Sequence, residues 1–521
     1  MLFNSIFNFD LKKLNKGVYM TNLLKNQKLN NVVDISKCVY LCIFTVYLVA
    51  REIYALIYFI DSFYVTGFFT GFAFLFIGYD ILTKHNCLKT RYFPATVLFL
   101  ITTVISCMLN REYGIFANIK SLIILSLYFF LLYPEAFNNK SNRTLSACLN
   151  TGFFTLSIFS LASLPMYIYD INYVCDNGVE QKQQGFVTIV GRLWGVFHDP
   201  NYFSLFSLIA ICSSIYLFVK SKSIFKKVVL VLLDVIHAIV LTMTGSKTGF
   251  VITVAAIIWL SVIVVFKNFS IKTIYRIMAL VLAIIISATA PFIISKTIQG
   301  FMPIVKKVVL NLGDIETYTN VHKAYDKFYT TGNLKLIEGS IEQINIDENV
   351  LDGDNSPVDR IDAPTDFSNG RLERWKDALE LTAERPFFGL SPRNIIIFAN
   401  ENDTDTLMNT LDTAIHNTYL ELLAGTGIIG GFIMLIFLIL AAVCVIKTTL
   451  NSSHDLKIVI SSTLVLIIAL AAVFLPDLIF FQLNFAGMML WLCLGHCLNT
   501  DPENFRRSFT YKAFKKLLRK G

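Results

Sequence analysis

Residues 415–447 read IHNTYLELLAGTGIIGGFIMLIFLILAAVCVIK, and the change of character inside this stretch decides the fold. It opens on the polar pair His416-Asn417, then stays apolar for longer than the ~20 residues that cross a bilayer, until Lys447 stops it. Upstream, residues 296–415 are polar and turn-rich, and nearly everything outside these two regions reads as membrane. The 521 residues are 55% hydrophobic and only 16% charged, with 45 Phe scattered through runs of Leu, Ile and Val. That composition excludes a string of soluble domains and indicates a polytopic membrane protein.

Apolar runs of span length recur about twelve times, near 38–60, 62–79, 92–109, 114–133, 147–170, 201–219, 227–244, 248–266, 275–295, 417–446, 457–475 and 477–497. The polar first 36 residues show no secretory leader and carry Lys12, Lys13, Lys16, Lys25 and Lys28, which puts the N-terminus in the cytoplasm. Alternate counting then places Lys84, Lys89, Arg91, Lys140, Arg143, Lys220, Lys222, Lys226, Lys227, Lys267, Lys272, Arg276, Lys447 and Lys457 inside. The short outside loops are nearly free of Lys and Arg, with Arg111, Arg192 and Lys247 as exceptions.

The expected organisation is therefore an all-α bundle with both termini cytoplasmic. A cytoplasmic segment (1–36) leads into about nine spans (37–295), a large extracytoplasmic loop between spans 9 and 10 (296–415), about three more spans (416–498) and a basic tail (499–521). In the tail, Phe509, Phe514 and Leu517 stand among Arg506, Arg507, Lys512, Lys515, Lys516, Arg519 and Lys520, a pattern suited to an anionic leaflet. The net charge of +8 thus reflects orientation rather than nucleic-acid binding. The ten Cys make no disulfide framework, because Cys175 alone is placed clearly outside.

Chemistry is expected at the outer face. The run Gly191-Arg192-Leu193-Trp194-Gly195-Val196-Phe197-His198-Asp199-Pro200-Asn201-Tyr202 enters a span. Asp199-Pro200 is a good helix start, since the carboxylate can accept from a free N–H and proline fits the first helical position. Arg192 is expected to be an unpaired cation near the span mouth, where an anionic headgroup would sit, and His198 reads as a ligand-side residue, as interfacial packing or as a hydrogen-bonded helix-cap neighbour. The turn Thr244-Gly245-Ser246-Lys247-Thr248-Gly249 can cup a phosphate or simply connect two spans, and it lacks Walker A spacing. Arg51-Glu52, inside the first expected span, reads as a charge pair locking the bundle or as part of a substrate path.

Within the large loop, the acidic stretch 338–367 has no EF-hand spacing and reads as a solvated loop. Order returns with a helix capped by Ser368 or Asn369, with Leu372, Trp375, Leu379 and Thr382 on one face, and ended by Pro386 and Gly389. Arg371 falls in its first turn, where the helix dipole disfavours a cation. The position suits an anion held by arginine and backbone N–H together, or an ordinary ion-paired surface residue. His416, with an ordinary pKa near ~6.5, can serve as a general base or merely begin a helix. Asn417 can orient it, and Glu421 can tune it from one turn away or satisfy a neighbouring helix.

Taken together, these blocks resemble the O-antigen ligase and polysaccharide polymerase superfamily. The likeness rests on Gly191-Arg192 through Asp199-Pro200-Asn201, on Asn369-Gly370-Arg371 with Trp375, Pro386 and Gly389, and on His416-Asn417 followed by Gly425-Thr426-Gly427-Ile428-Ile429-Gly430. It covers roughly residues 190–435, and it departs from the family at Lys247, where arginine is usual; lysine keeps the charge and loses the fork.

The resemblance implies a glycosyltransferase architecture of the GT-C type in a bacterial cytoplasmic membrane, needing no cofactor or metal. It implies a donor glycan on undecaprenyl pyrophosphate, with Arg371, Arg192 and Lys247 on the pyrophosphate and His416 and Arg371 catalytic. Asn417, Asp199, Asn201 and Glu421 would support them, and transfer would invert the anomeric carbon. The expected activity is a surface-polysaccharide (O-antigen or capsule) polymerase, with a ligase to a lipid A core, wall polymer or protein as the alternative. A chain-length regulator and a flippase are the protein partners such an enzyme would have. A non-catalytic transporter of lipid-linked sugars would favour mid-span charges, and apart from Arg51-Glu52 there are few.

Overall fold

The computed structural model describes residues 27–83, 86–138, 143–176, 181–187, 191–268, 273–312, 315–330, 335–338, 370–402, 404, 406, 414–452 and 455–498. The expectations placed on the acidic stretch beyond 338, on Ser368 and Asn369 and on the basic tail lie outside these residues.

Twelve helices occupy the twelve expected positions. Eight are long and apolar enough to cross a membrane: Leu29–Ala50 of α1 (Gln27–Ala50), α2 (Phe63–Thr83), Phe116–Glu135, α5 (Arg143–Ile168), α6 (Pro200–Lys220), Lys247–Phe266 of α8 (Lys247–Asn268), Ile277–Leu312 of α9 (Thr273–Leu312) and α12 (Thr418–Asn451). Three others, α3 (Phe93–Leu109), α13 (Leu456–Ala471) and α14 (Phe485–Leu498), are apolar but shorter. The remaining one, α7 (Ile224–Met243), carries Lys226, Lys227 and Asp234. The protein is a helical polytopic membrane protein, as its composition required.

Four details depart from the reading of the sequence. The run 38–60 is not one helix: α1 stops at Ala50 and a short helix, Tyr54–Ile60, follows. The break has a cause, because Glu52 and Tyr54 spend their backbone groups on the chain entering α6. His198 N donates to Glu52 O (3.0 Å), Tyr54 N donates to Val196 O (3.3 Å), and Ile53 bridges Phe197. Second, α9 does not end near 295 but runs 40 residues to Leu312, about 60 Å of helix against a ~30 Å hydrocarbon core. Third, α14 has 14 residues and every one is buried, so it forms the centre of the bundle rather than a wall. Trp491 sits there among Tyr128, Phe129, Tyr133 and Phe437, with ring centroids 5.0–6.1 Å away.

The fourth departure is a small antiparallel sheet, ordered β3-β2-β1-β4, of β1 (Asn172–Asp176), β2 (Gln181–Val187), β3 (Arg192–Gly195) and β4 (Lys335–Glu338). β4 reaches the sheet from α10 (Ile315–Thr330), the helix after α9. It aligns Tyr173 with Glu338 and Val187 with Arg192, so the loop before α6 and the chain after α10 meet on one side of the bundle. At the opposite end, Lys37 on α1 lies 2.5 Å from Asp80 of α2 and 2.6 Å from Glu135, all three buried.

Candidate functional site

Asp199 does what its place before proline requires: its carboxylate caps α6, accepting from Asn201 N (2.6 Å) and Tyr202 N (3.2 Å). The next side chain reaches sideways. Asn201 Oδ1 accepts from Ser246 Oγ (2.9 Å) and from Arg192 Nη2 (3.3 Å), while Arg192 Nε donates to Thr244 O (2.7 Å). Ser246 Oγ in turn accepts from Gly249 N at the start of α8 (3.0 Å). Gly245, at φ +57, leaves room for the Arg192 stem, which a Cβ there would meet at 3.3 Å. Arg192, Asn201 and the 244–249 turn with Lys247 therefore form one unit, and Arg192 is engaged in it rather than standing apart.

The second unit is a docked segment. After α11 (Arg371–Glu384), residues 386–390 lie against a kink in α12, where Gly427 leaves the helix at φ +66. Ile428 N donates to Pro386 O (2.7 Å), Ile429 N to Phe387 O (3.2 Å), and Leu390 N to Ala424 O (2.8 Å). Gly389, also at positive φ, and Gly427 allow backbone to meet backbone; a Cβ at either would collide with it. Buried amides staple the segment to the end of α3 and the start of α4 (Phe116–Leu127). Asn110 Nδ2 donates to Gly389 O (2.9 Å), Asn394 Nδ2 to Asn110 O (3.0 Å) and Asn118 Nδ2 to Asn394 Oδ1 (2.9 Å).

The chain between α13 and α14 joins the two units. Tyr202 Oη donates to Pro476 O (2.7 Å) from the first side. From the second, Arg393 pairs with Asp477 (2.6 Å) and donates to Phe481 O (2.6 Å), and Arg371 lies over the Phe474 ring at 5.9 Å. The start of α12 is held there too. Thr418 N donates to Ala472 O (2.9 Å) and Thr418 Oγ1 to Leu475 O (2.7 Å), and Glu421 accepts from Asp477 N (2.5 Å). Asn417 caps α12 by accepting from Tyr419 N and Leu420 N, and His416 precedes it, half-buried, at φ 54. Arg371 thus packs on the turn that also holds Thr418, two residues after His416. Burial, reinforced by the neighbouring Arg374, pulls the Arg371 guanidinium below its ordinary value, and Asp199 opposes this, which ties the two units electrostatically.

All eight expected residues lie at this end of the bundle, although several do structural work. Asp199 and Asn417 are caps, and Glu421 satisfies the 472–484 chain. His198 sets its Nδ1 3.2 Å from a Glu52 carboxylate oxygen, and Arg51 pairs with Asp61 (2.8 Å), so the Arg51-Glu52 charges lock the bundle through separate partners. The sequence reading did not find Arg393, Asp477, Asn110, Asn118 or Asn394. None sits in a motif, and each reaches the site through a partner dozens or hundreds of residues away.

No curated protein matches the chain. Residues 228–435, which hold the 244–249 turn, Arg371, the Gly389 junction and the His416-Asn417 pair, match the family model described as O-antigen ligase, so this membrane protein is similar to the O-antigen ligase and polymerase superfamily, a family of glycosyltransferase-like enzymes.

Proposed function

We propose that this protein polymerises a bacterial surface polysaccharide, transferring glycan from undecaprenyl pyrophosphate to the next lipid-linked repeat unit at the outer face of the cytoplasmic membrane. The observation that carries the reading is that the 472–477 turn packs on Arg371 through Phe474 and on the start of α12 through Thr418, two residues after His416, and that Arg371 and His416 both lie inside the segment matching the family model. An acceptor hydroxyl attacks the anomeric carbon in line while the bond to the pyrophosphate oxygen breaks. His416 takes the hydroxyl proton, and the electron pair leaves on the pyrophosphate, where Arg371 offsets the charge that builds in the transition state. Arg192 and Lys247 add positive charge from the first unit, and Asn417 fixes the helix start beside the base. In-line attack inverts the anomeric centre.

The test supplies lipid-pyrophosphate repeat units to the purified protein with EDTA present. A product ladder is expected from the parent, and none from Arg371→Ala or His416→Asn; asparagine tolerates the left-handed backbone at 416, so that variant should stay folded. A folded His416→Asn protein with full activity would remove His416 from the mechanism. The matched description, O-antigen ligase, favours a second reading equally: transfer of finished glycan to a different acceptor. Activity that appears only when a non-lipid-pyrophosphate acceptor is added would select it.

A further inference from the structure

Five basic residues lie between 370 and 402, and three have carboxylate partners: Lys376 with Glu380 (3.3 Å), Arg385 with Glu112 (3.2 Å) and Arg393 with Asp477 (2.6 Å). The other two are Arg371 and Arg374, and among the described residues neither has an ion pair or a hydrogen-bond acceptor. They stand three residues apart on α11, the spacing that brings side chains to one helix face with Cβ atoms ~5–6 Å apart. Both are half-buried, and the desolvation that lowers the pKa of each is worsened for Arg371 by its neighbour. They occupy the positive end of the helix, where Gly370 at φ 71 offers no side-chain cap. In the same turn Arg374 Nε and Trp375 Nε1 are buried with no acceptor. Two adjacent, partly desolvated arginines without an ion-pair partner at a helix N-terminus repel each other, with only the more distant Asp199 charge opposing this at Arg371, and an anion with two charged groups relieves the repulsion.

Resting on the lipid-pyrophosphate donor proposed above, we infer that Arg374 is a second donor-binding residue: Arg371 takes one phosphate, Arg374 the other, and the pair selects a pyrophosphate over a monophosphate lipid. A planar fork on each side matches the separate oxygens of two linked phosphates, whereas a lone phosphate leaves one fork unmatched.

The test measures binding of undecaprenyl pyrophosphate and undecaprenyl phosphate to the full-length protein in nanodiscs. The parent should prefer the pyrophosphate by about 10-fold or more. Arg374→Gln should weaken pyrophosphate binding by about 10-fold and change monophosphate binding by less than about 3-fold, collapsing the preference. Arg374→Lys, which keeps charge without the fork, should fall between, and it carries the test if the glutamine variant fails to fold. Lys376→Gln, which removes an exposed charge from the same helix, should keep the parent ratio. If the folded Arg374 variants keep that ratio, or lose affinity for both lipids equally, the inference is overturned and the donor proposal stands. A parent that binds neither lipid, or binds both equally, overturns the donor proposal itself.

Discussion

Asn201 carries more of the site than its neighbours in the Asp-Pro-Asn run, because its single oxygen is shared by Arg192 and Ser246. Asn201→Ala strips both donors of their acceptor, an expected loss of about 1–3 kcal/mol, measured as a lowered Tm of the detergent-solubilised protein. Asn201→Asp keeps the acceptor but sets a negative charge beside Arg192 and the Lys247 turn. It should hold the fold and raise KM for the donor more than it lowers kcat. The contrast with Asp199 shows what was legible at this scale. Capping is a rule about the next three residues, so Asp199 and the Asn417 cap could be read directly. The partners of Asn201 come from nine residues before it and from a turn 45 residues further on, and no local pattern announces them.

At the scale of elements, the junction between residues 386–390 and the α12 kink ties the chain that follows α11 to α12. Pro386 and Gly389 were legible as a helix stop, and α11 does end at Glu384. What they are for was not legible, since Gly389 matters through its approach to Ala424 and Gly427. Gly427→Ala and Gly389→Ala should each lower Tm and abolish transfer. A left-handed alanine costs roughly 1–2 kcal/mol, and its Cβ must displace backbone rather than a flexible side chain. Gly67→Ala, in α2 with nothing within 4 Å of the added carbon, should leave Tm unchanged or raise it. Equal Tm values for all three would mean that the junction is not a rigid element. The sheet was invisible for a related reason: β2 reads Gln-Lys-Gln-Gln-Gly-Phe-Val, with no alternation to mark a strand, and is stabilised by pairing with β1 and β3.

Across the whole molecule, every turn that the charge count assigned to the outside meets another at one end. The 51–61 break meets the chain before α6 and the 472–484 segment, and the 110–118 turn meets Gly389 and Asn394. Arg192 meets the 244–249 turn, and β4 after α10 meets β1. At the other end the inside segments meet one another, through Lys37 with Asp80 and Glu135 and through Tyr133 with Arg91 O. Helix parity was therefore readable from span-length runs, because hydrophobic length and alternation of sides are properties of the chain as a whole. Which end faces the cytoplasm rests on the Lys and Arg distribution alone. Single cysteines decide it. In a Cys175→Ser background, Lys307→Cys, on the exposed C-terminal extension of α9, should react with a membrane-impermeant maleimide on spheroplasts. Lys222→Cys, exposed between α6 and α7, should react only after the membrane is opened. The reverse pattern would invert the bundle, put Arg371 and His416 in the cytoplasm, and with them remove the outer-face reaction that their geometry supports.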